Sequence, residues 1–217
     1  MEKEILITRP NYDDATGYLF YYASLIIKES GKKGISCIDL KKPRLTKETF
    51  TGIIKDRSPS FIFFNAHGNE KCIYDNKIEG DEEILIEEGK NHHLLNSRLI
   101  YTRACLSAAS LGKSCKDGCF IGYKIPFSFW INEKWSAKPS NDNTAKLFLE
   151  PSNLIASSIL KGNSAEEAVG KSINISKKNI LRLLSEKEEP GATASIMLLW
   201  NNIEGIEILG NKDMKFE

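Results

Sequence analysis

Two apolar runs of this 217-residue chain each end in a side chain capable of nucleophilic chemistry. FIFFNAHGN places His67 before Gly68, and LIYTRACLSAAS places Cys105 after Ala104. In open α/β sheets, ligands bind outside the carboxyl ends of the strands. If these runs are neighbouring strands of a parallel sheet, an imidazole and a thiol 38 positions apart (105 minus 67) meet at one edge of a shared crevice. A thiol beside a base that removes its proton is an effective nucleophile. A residue as small as Gly68 also leaves backbone N–H groups open to an oxyanion. Acyl transfer is the reaction class that this pairing implies.

The competing readings are structural. A lone cysteine is most often a small hydrophobe, and Cys37, Cys72, Cys115 and Cys119 read that way; Cys105 on its own reads either way. His67 has few competitors, because His92 and His93 sit in a polar stretch with the character of a solvated loop. Cys72, Cys115, Cys119 and the two adjacent histidines have the ligand chemistry of zinc. Against zinc, Cys115 and Cys119 stand four apart instead of forming a C-x2-C knuckle, and Cys119 opens a strand. Neither a metal nor a cofactor is expected. No G-x-G-x-x-G or Walker-type loop follows the first strand, so a nucleotide-binding module would lack its phosphate cradle.

The secondary structure around these residues follows from the pattern of apolar positions. Residues 5–8 and 35–40 read as strands around a helix over 14–30. In that helix Tyr18, Leu19, Tyr22, Leu25 and Ile26 recur at three- and four-residue steps and Gly31 marks the stop. A helix over 46–56 leads into a strand over 60–64. After a weakly patterned stretch with short strands at 72–74 and 83–87 come a strand over 98–103, a short helix over 107–116 and a strand over 119–123. Runs that are apolar on both faces and separated by helices predict a parallel sheet covered above and below. Residues 132–143 read as a mobile loop, where proteolytic nicking would fall. Ser164 and Glu167 form a capping box at the start of a long helix. Beyond Pro190 and Gly191, residues 194–200 and 206–209 read as a closing hairpin. No internal repeat or linker divides the chain, so residues 1–217 are read as a single domain.

Charge and composition narrow the partners. The 30 Lys and Arg against 29 Asp and Glu give a net charge of +1, which offers no general attraction for nucleic acid or acidic lipid. No apolar stretch approaches the roughly 20 residues of a membrane-spanning helix. The N-terminal sequence lacks the core and cleavage site of a signal peptide, and five cysteines at irregular spacing do not suggest a disulfide framework. The expectation is a cytoplasmic protein with reduced thiols.

An apolar strand ending in His-Gly, followed by one ending in Ala-Cys, resembles the signature of clan CD peptidases: caspases, metacaspases, gingipains, separases and CHAT proteins. Leu106, Ser107 and Ala108 after the Ala-Cys pair, the FIGYKIPFSFW run from Phe120 and LKGNSAEEAVGKS from Leu160 resemble the CHAT branch. The resemblance implies a caspase-like three-layer sandwich with a mostly parallel central sheet, helices on both faces and the closing hairpin. It implies a cysteine endopeptidase with a His67 and Cys105 dyad and oxyanion donors at the Gly68 and Cys105 amides. A protein substrate, an activating protein partner acting through loops such as 132–143, and a role in bacterial defence or signalling go with that reading. In several members of this clan the residue two before the nucleophile lines the specificity pocket, here Arg103, and Arg9 takes a place comparable to a caspase pocket arginine. Two guanidiniums would grip a carboxylate and favour cleavage after an acidic residue. Asp13 and Asp14 entering the pocket, or a structural ion pair at Arg103, are the rivals. The alternative function is a catalytically inactive caspase-like adaptor.

Overall fold

In the computed structural model, residues 3–78, 81–185 and 190–216 are described. Strand β1 (Glu4–Thr8) is buried along its whole length, as befits a strand inside a parallel sheet. Helix α1 (Asp14–Lys32) begins at Asp13, whose side chain accepts from the Thr16 amide while the Thr16 hydroxyl accepts from the Asp13 amide. This reciprocal cap satisfies donors that the first turn leaves orphaned. Strand β2 (Ser36–Leu40) and helix α2 (Lys47–Arg57) follow, then β3 (Phe61–Phe64), β4 (Cys72–Ile78) and β5 (Asp81–Glu87). The chain continues through β6 (Leu99–Thr102), a one-turn α3 (Leu111–Ser114), β7 (Cys119–Tyr123), α4 (Asn143–Leu160), α5 (Ala165–Ser185), α6 (Ala192–Gly205) and β8 (Ile206–Gly210).

Six strands form one sheet in the order β2-β1-β3-β6-β7-β8, parallel except for β8, which runs antiparallel to β7. The order reverses direction between β1 and β3, and the carboxyl ends of those two strands therefore flank a crevice. Alternation along the strands sends Ile5, Ile7, Phe61 and Phe63 into a core shared with α1, α4 and α5. It sends Leu6, Ile62 and Phe64 to the opposite face, against Phe50 and Ile54 of α2 and Ile73, Leu85 and Ile86 of the β4–β5 pair. Each fully buried aliphatic or Phe side chain contributes about 1.5–3 kcal/mol. The three layers and the mostly parallel sheet agree with the expected caspase-like sandwich.

The capping box at Ser164 is present, with Ser164 N–H donating to Glu167 at 2.8 Å and Glu167 N–H to Ser164 Oγ at 3.2 Å. The closing antiparallel pair is also present, but with a different partner. Residues 194–200, expected as its first strand, lie in α6, and β8 pairs with β7 instead. A short apolar run fits either element. Here Leu199 packs with Phe148 and Leu183 of the neighbouring helices, and that contact decides the outcome. The helix expected over 107–116 shrinks to α3, and residues 132–143 contain two single 3-10 turns, Glu133–Trp135 and Pro139–Asn141. Among the described residues, no helix is long and apolar enough to cross a membrane.

Candidate active site

Strands β3 and β6 are hydrogen-bonded neighbours with Phe64 opposite Thr102. His67 stands three residues past the first and Cys105 three past the second, so both leave the same edge of the sheet in step. Their turns touch. A Cβ added to Gly68 would lie 2.8 Å from the Cβ of Ala104 and 2.7 Å from the Cys72 carbonyl, a space only glycine leaves open. The His67 turn is pinned by Tyr74 N–H to the His67 carbonyl at 3.0 Å and Asn69 N–H to the Cys72 carbonyl at 2.9 Å. These bonds flank Gly68 and use neither of its own polar groups. On the other turn, Ala104 N–H donates to Thr102 Oγ1 at 2.9 Å, and Ser107 Oγ to the Ala104 carbonyl at 2.8 Å. Leu106, directly after Cys105, holds a left-handed φ of 59°, a strained conformation of the kind that collects at functional turns.

His67 Nε2 lies 2.8 Å from Asp13 Oδ2. The Asp13 carboxylate therefore works twice, because its Oδ1 caps α1 through Thr16 while Oδ2 holds the imidazole. Burial pushes the Asp13 carboxyl up. Hydrogen bonds from Thr16 and His67, with the charge of the latter, outweigh that and hold it below its ordinary value. An Nε2–H donated to a carboxylate leaves the lone pair on Nδ1, the nitrogen that can act as a base. Asp13 was expected in a substrate pocket, and the sequence carried only its capping pattern with Thr16 as a clue to this position. Tyr12 lies beside the imidazole, with ring centroids 5.9 Å apart.

Cys105 is half-buried, and its Sγ donates to the Phe127 carbonyl at 3.7 Å. Burial pushes the thiol up, while backbone hydrogen bonds at Phe127 and at Cys105 itself pull in the opposite direction. Among the described residues, no hydrogen bond joins Cys105 to His67. The Phe127 contact had no signature in the sequence, because it comes from the irregular chain after β7. Cys115 and Cys119 are pushed up to about 12 by burial and behave as small core hydrophobes.

The arginines have intrachain partners. Arg9 forks onto Asp39 with two bonds of 2.6 Å, donates to the Phe20 carbonyl at 3.2 Å and stacks on the Phe20 ring. Arg103 is 1% exposed, donates to the side-chain oxygens of Asn65 and Asn153 and lies over Phe63. A substrate carboxylate would have to compete with Asp39 at the first and displace an asparagine at the second. Among the described residues, no group of three or more His, Cys, Asp or Glu is arranged to hold a metal ion. A cavity of about 430 Å³ lies elsewhere, between Trp130, Leu147, Leu183 and Ala192.

No family model and no curated protein matches the chain. Among solved structures, the fold is similar to the complex of Porphyromonas gingivalis RgpB pro- and mature domains. The TM-score is 0.53 and the identity 9%, over 99% of this chain and 48% of that one. RgpB is a gingipain, a clan CD cysteine peptidase. At this identity the likeness establishes a fold of the caspase-like kind.

Proposed function

We propose that this chain is a cysteine endopeptidase with Cys105 as nucleophile and His67 as general base. One observation carries the reading: the two side chains leave paired strand ends in step, and Gly68 rests against Ala104, so the base and the nucleophile stand on touching turns. In the reaction the Cys105 proton passes to His67 as sulfur bonds to the scissile carbonyl carbon, and the oxyanion takes hydrogen bonds from the Gly68 and Cys105 amides. Collapse breaks the C–N bond, and His67 returns its proton to the leaving amine. Water, deprotonated by His67, then releases the acyl group. Asp13 keeps the imidazole in one tautomer and orientation. A thiol held up by burial suits a base that acts during attack better than a standing thiolate.

The finer reading, a CHAT-type enzyme with a dedicated protein substrate, an activating partner and a role in cytoplasmic bacterial defence or signalling, rests on motif resemblance alone. Cleavage after an acidic residue belongs to the same tier, and it requires Arg9 or Arg103 to exchange a present partner for substrate. The adaptor reading is favoured by one observation, that the Cys105 thiol is bonded to Phe127.

A peptide electrophile directed at cysteine peptidases separates the two readings. Labelling of the wild type, absent in Cys105→Ala and much slowed in His67→Ala, supports the enzyme. Labelling indifferent to His67 supports the adaptor.

A further inference from the structure

The irregular chain between β7 and α4 touches the nucleophile at one residue and is fastened to α6 at the next. Phe127 offers its carbonyl to Cys105. Ser128 is bound in both directions by Asn202, since its N–H donates to Asn202 Oδ1 at 3.0 Å and its carbonyl accepts from Asn202 Nδ2 at 2.7 Å. A single side chain thus does for Ser128 what a neighbouring strand would do. Asn202 is 9% exposed, so these bonds compete little with water. Farther along, Asn132 N–H donates to the buried Asp142 carboxylate at 2.7 Å, which also takes the Tyr18 hydroxyl at 2.6 Å. The strap is therefore held at two points, Ser128 and Asn132, with Phe127 next to the α6 fastening. The Phe127 ring seats against Tyr123, with centroids 4.7 Å apart, which keeps the backbone close to the sheet edge.

We infer that Asn202 is a positioning residue for Cys105, acting through Ser128 and Phe127 to hold the strap against the thiol. Its catalytic consequence rests on the cysteine-peptidase reading; its effect on the thiol does not. With the clasp intact, the sulfur has a fixed partner and limited solvent. Without it, the strap lifts, the thiol gains solvent, and the nucleophile loses its place relative to a bound substrate.

The test is native-state alkylation of each cysteine by iodoacetamide, read by peptide mass spectrometry, in wild type, Asn202→Ala, Asn202→Asp and the exposed neighbour Asn201→Ala. Loss of two ordinary hydrogen bonds predicts labelling of Cys105 about tenfold faster in Asn202→Ala. The pH midpoint for Cys105 labelling should move down towards that of an ordinary thiol. Asn202→Asp, which keeps the acceptor and loses the donor, should fall between, and Asn201→Ala should match wild type. Cys119, 2% exposed, reports global loosening and should stay slow. Hydrolysis of any cleaved peptide should fall through kcat more than KM, opposite in sign to the labelling. Unchanged Cys105 labelling in Asn202→Ala, or an equal gain at Cys119, overturns the inference. A wild type without hydrolysis counts against the peptidase reading alone, and the labelling still decides the place of Asn202.

Discussion

His67 Nε2 and Asp13 Oδ2 meet at 2.8 Å across 54 positions of sequence, on the two sides of the crevice where the strand order of the sheet reverses. Asp13 follows β1 and His67 follows β3, so the contact is made by topology and not by local chain geometry. Replacing the carboxylate by an amide keeps the shape and removes the charge that fixes the ring. Asp13→Asn is predicted to lower kcat/KM by at least about 10-fold and by up to about 10⁴-fold, the loss seen when the carboxylate behind a catalytic histidine becomes an amide and the wrong tautomer is held.

The same substitution has a pH signature. The Asp13 carboxyl titrates below its ordinary 3.8, so its stabilising contribution is complete above that value and is lost as pH falls through the lower folded value. Urea unfolding should show Asp13→Asn less stable than wild type near neutrality. The gap should narrow as the pH falls below 3.8.

Gly68→Ala tests the touching turns. The new methyl would meet the Cys72 carbonyl at 2.7 Å and Ala104 Cβ at 2.8 Å, and neither neighbour is the far end of a flexible side chain. Overpacking of this kind costs about 1–3 kcal/mol, which thermal unfolding would register. Activity should be lost beyond what that destabilisation explains, because the turn carrying His67 must move away from the one carrying Cys105.

The sequence announced the two reactive side chains because each ends an apolar run, and β3 and β6 are short, fully buried strands whose ends a reader can place within a residue or two. It could not announce their supports. Asp13 looks like any helix cap until β1 and β3 are known to be adjacent. Phe127 reaches Cys105 through a backbone carbonyl, a group that every residue has. The partners of Arg9 and Arg103 come from distant elements, so two guanidiniums that read as a carboxylate grip are seated on Asp39, Asn65 and Asn153. Residues 194–200 misled for a different reason, since an apolar run of that length has no period of its own and the packing of Leu199 settles it as helix.

Arg103→Met separates a structural role from a pocket role. The apolar stem would still cover Phe63, but the side-chain oxygens of Asn65 and Asn153 would each lose a donor, at about 1–3 kcal/mol apiece. A marked fall in melting temperature is the expected result. Unaltered stability with a changed cleavage preference would return Arg103 to the specificity pocket.

Asp75 makes an independent prediction. It is buried, its Oδ1 has no hydrogen-bond partner among the described residues, and burial, reinforced by Glu83, pushes its carboxyl up to about 7. A carboxyl raised in the folded state favours folding at low pH and opposes it increasingly as pH rises from its ordinary 3.8 towards that value. Asp75→Asn should therefore stabilise the protein above neutrality by more than about 1 kcal/mol, with little effect near pH 4, as read from denaturant midpoints.

Digestion of a proteome-derived peptide library, with the new termini read by mass spectrometry, tests the pairing of Cys105 with His67 when wild type, His67→Ala and Cys105→Ala are compared. Defined cleavage by wild type that disappears in both variants is the predicted result, and the residues before the cut would show whether acidic side chains are preferred. Cleavage that persists undiminished in Cys105→Ala would exclude Cys105 as the nucleophile.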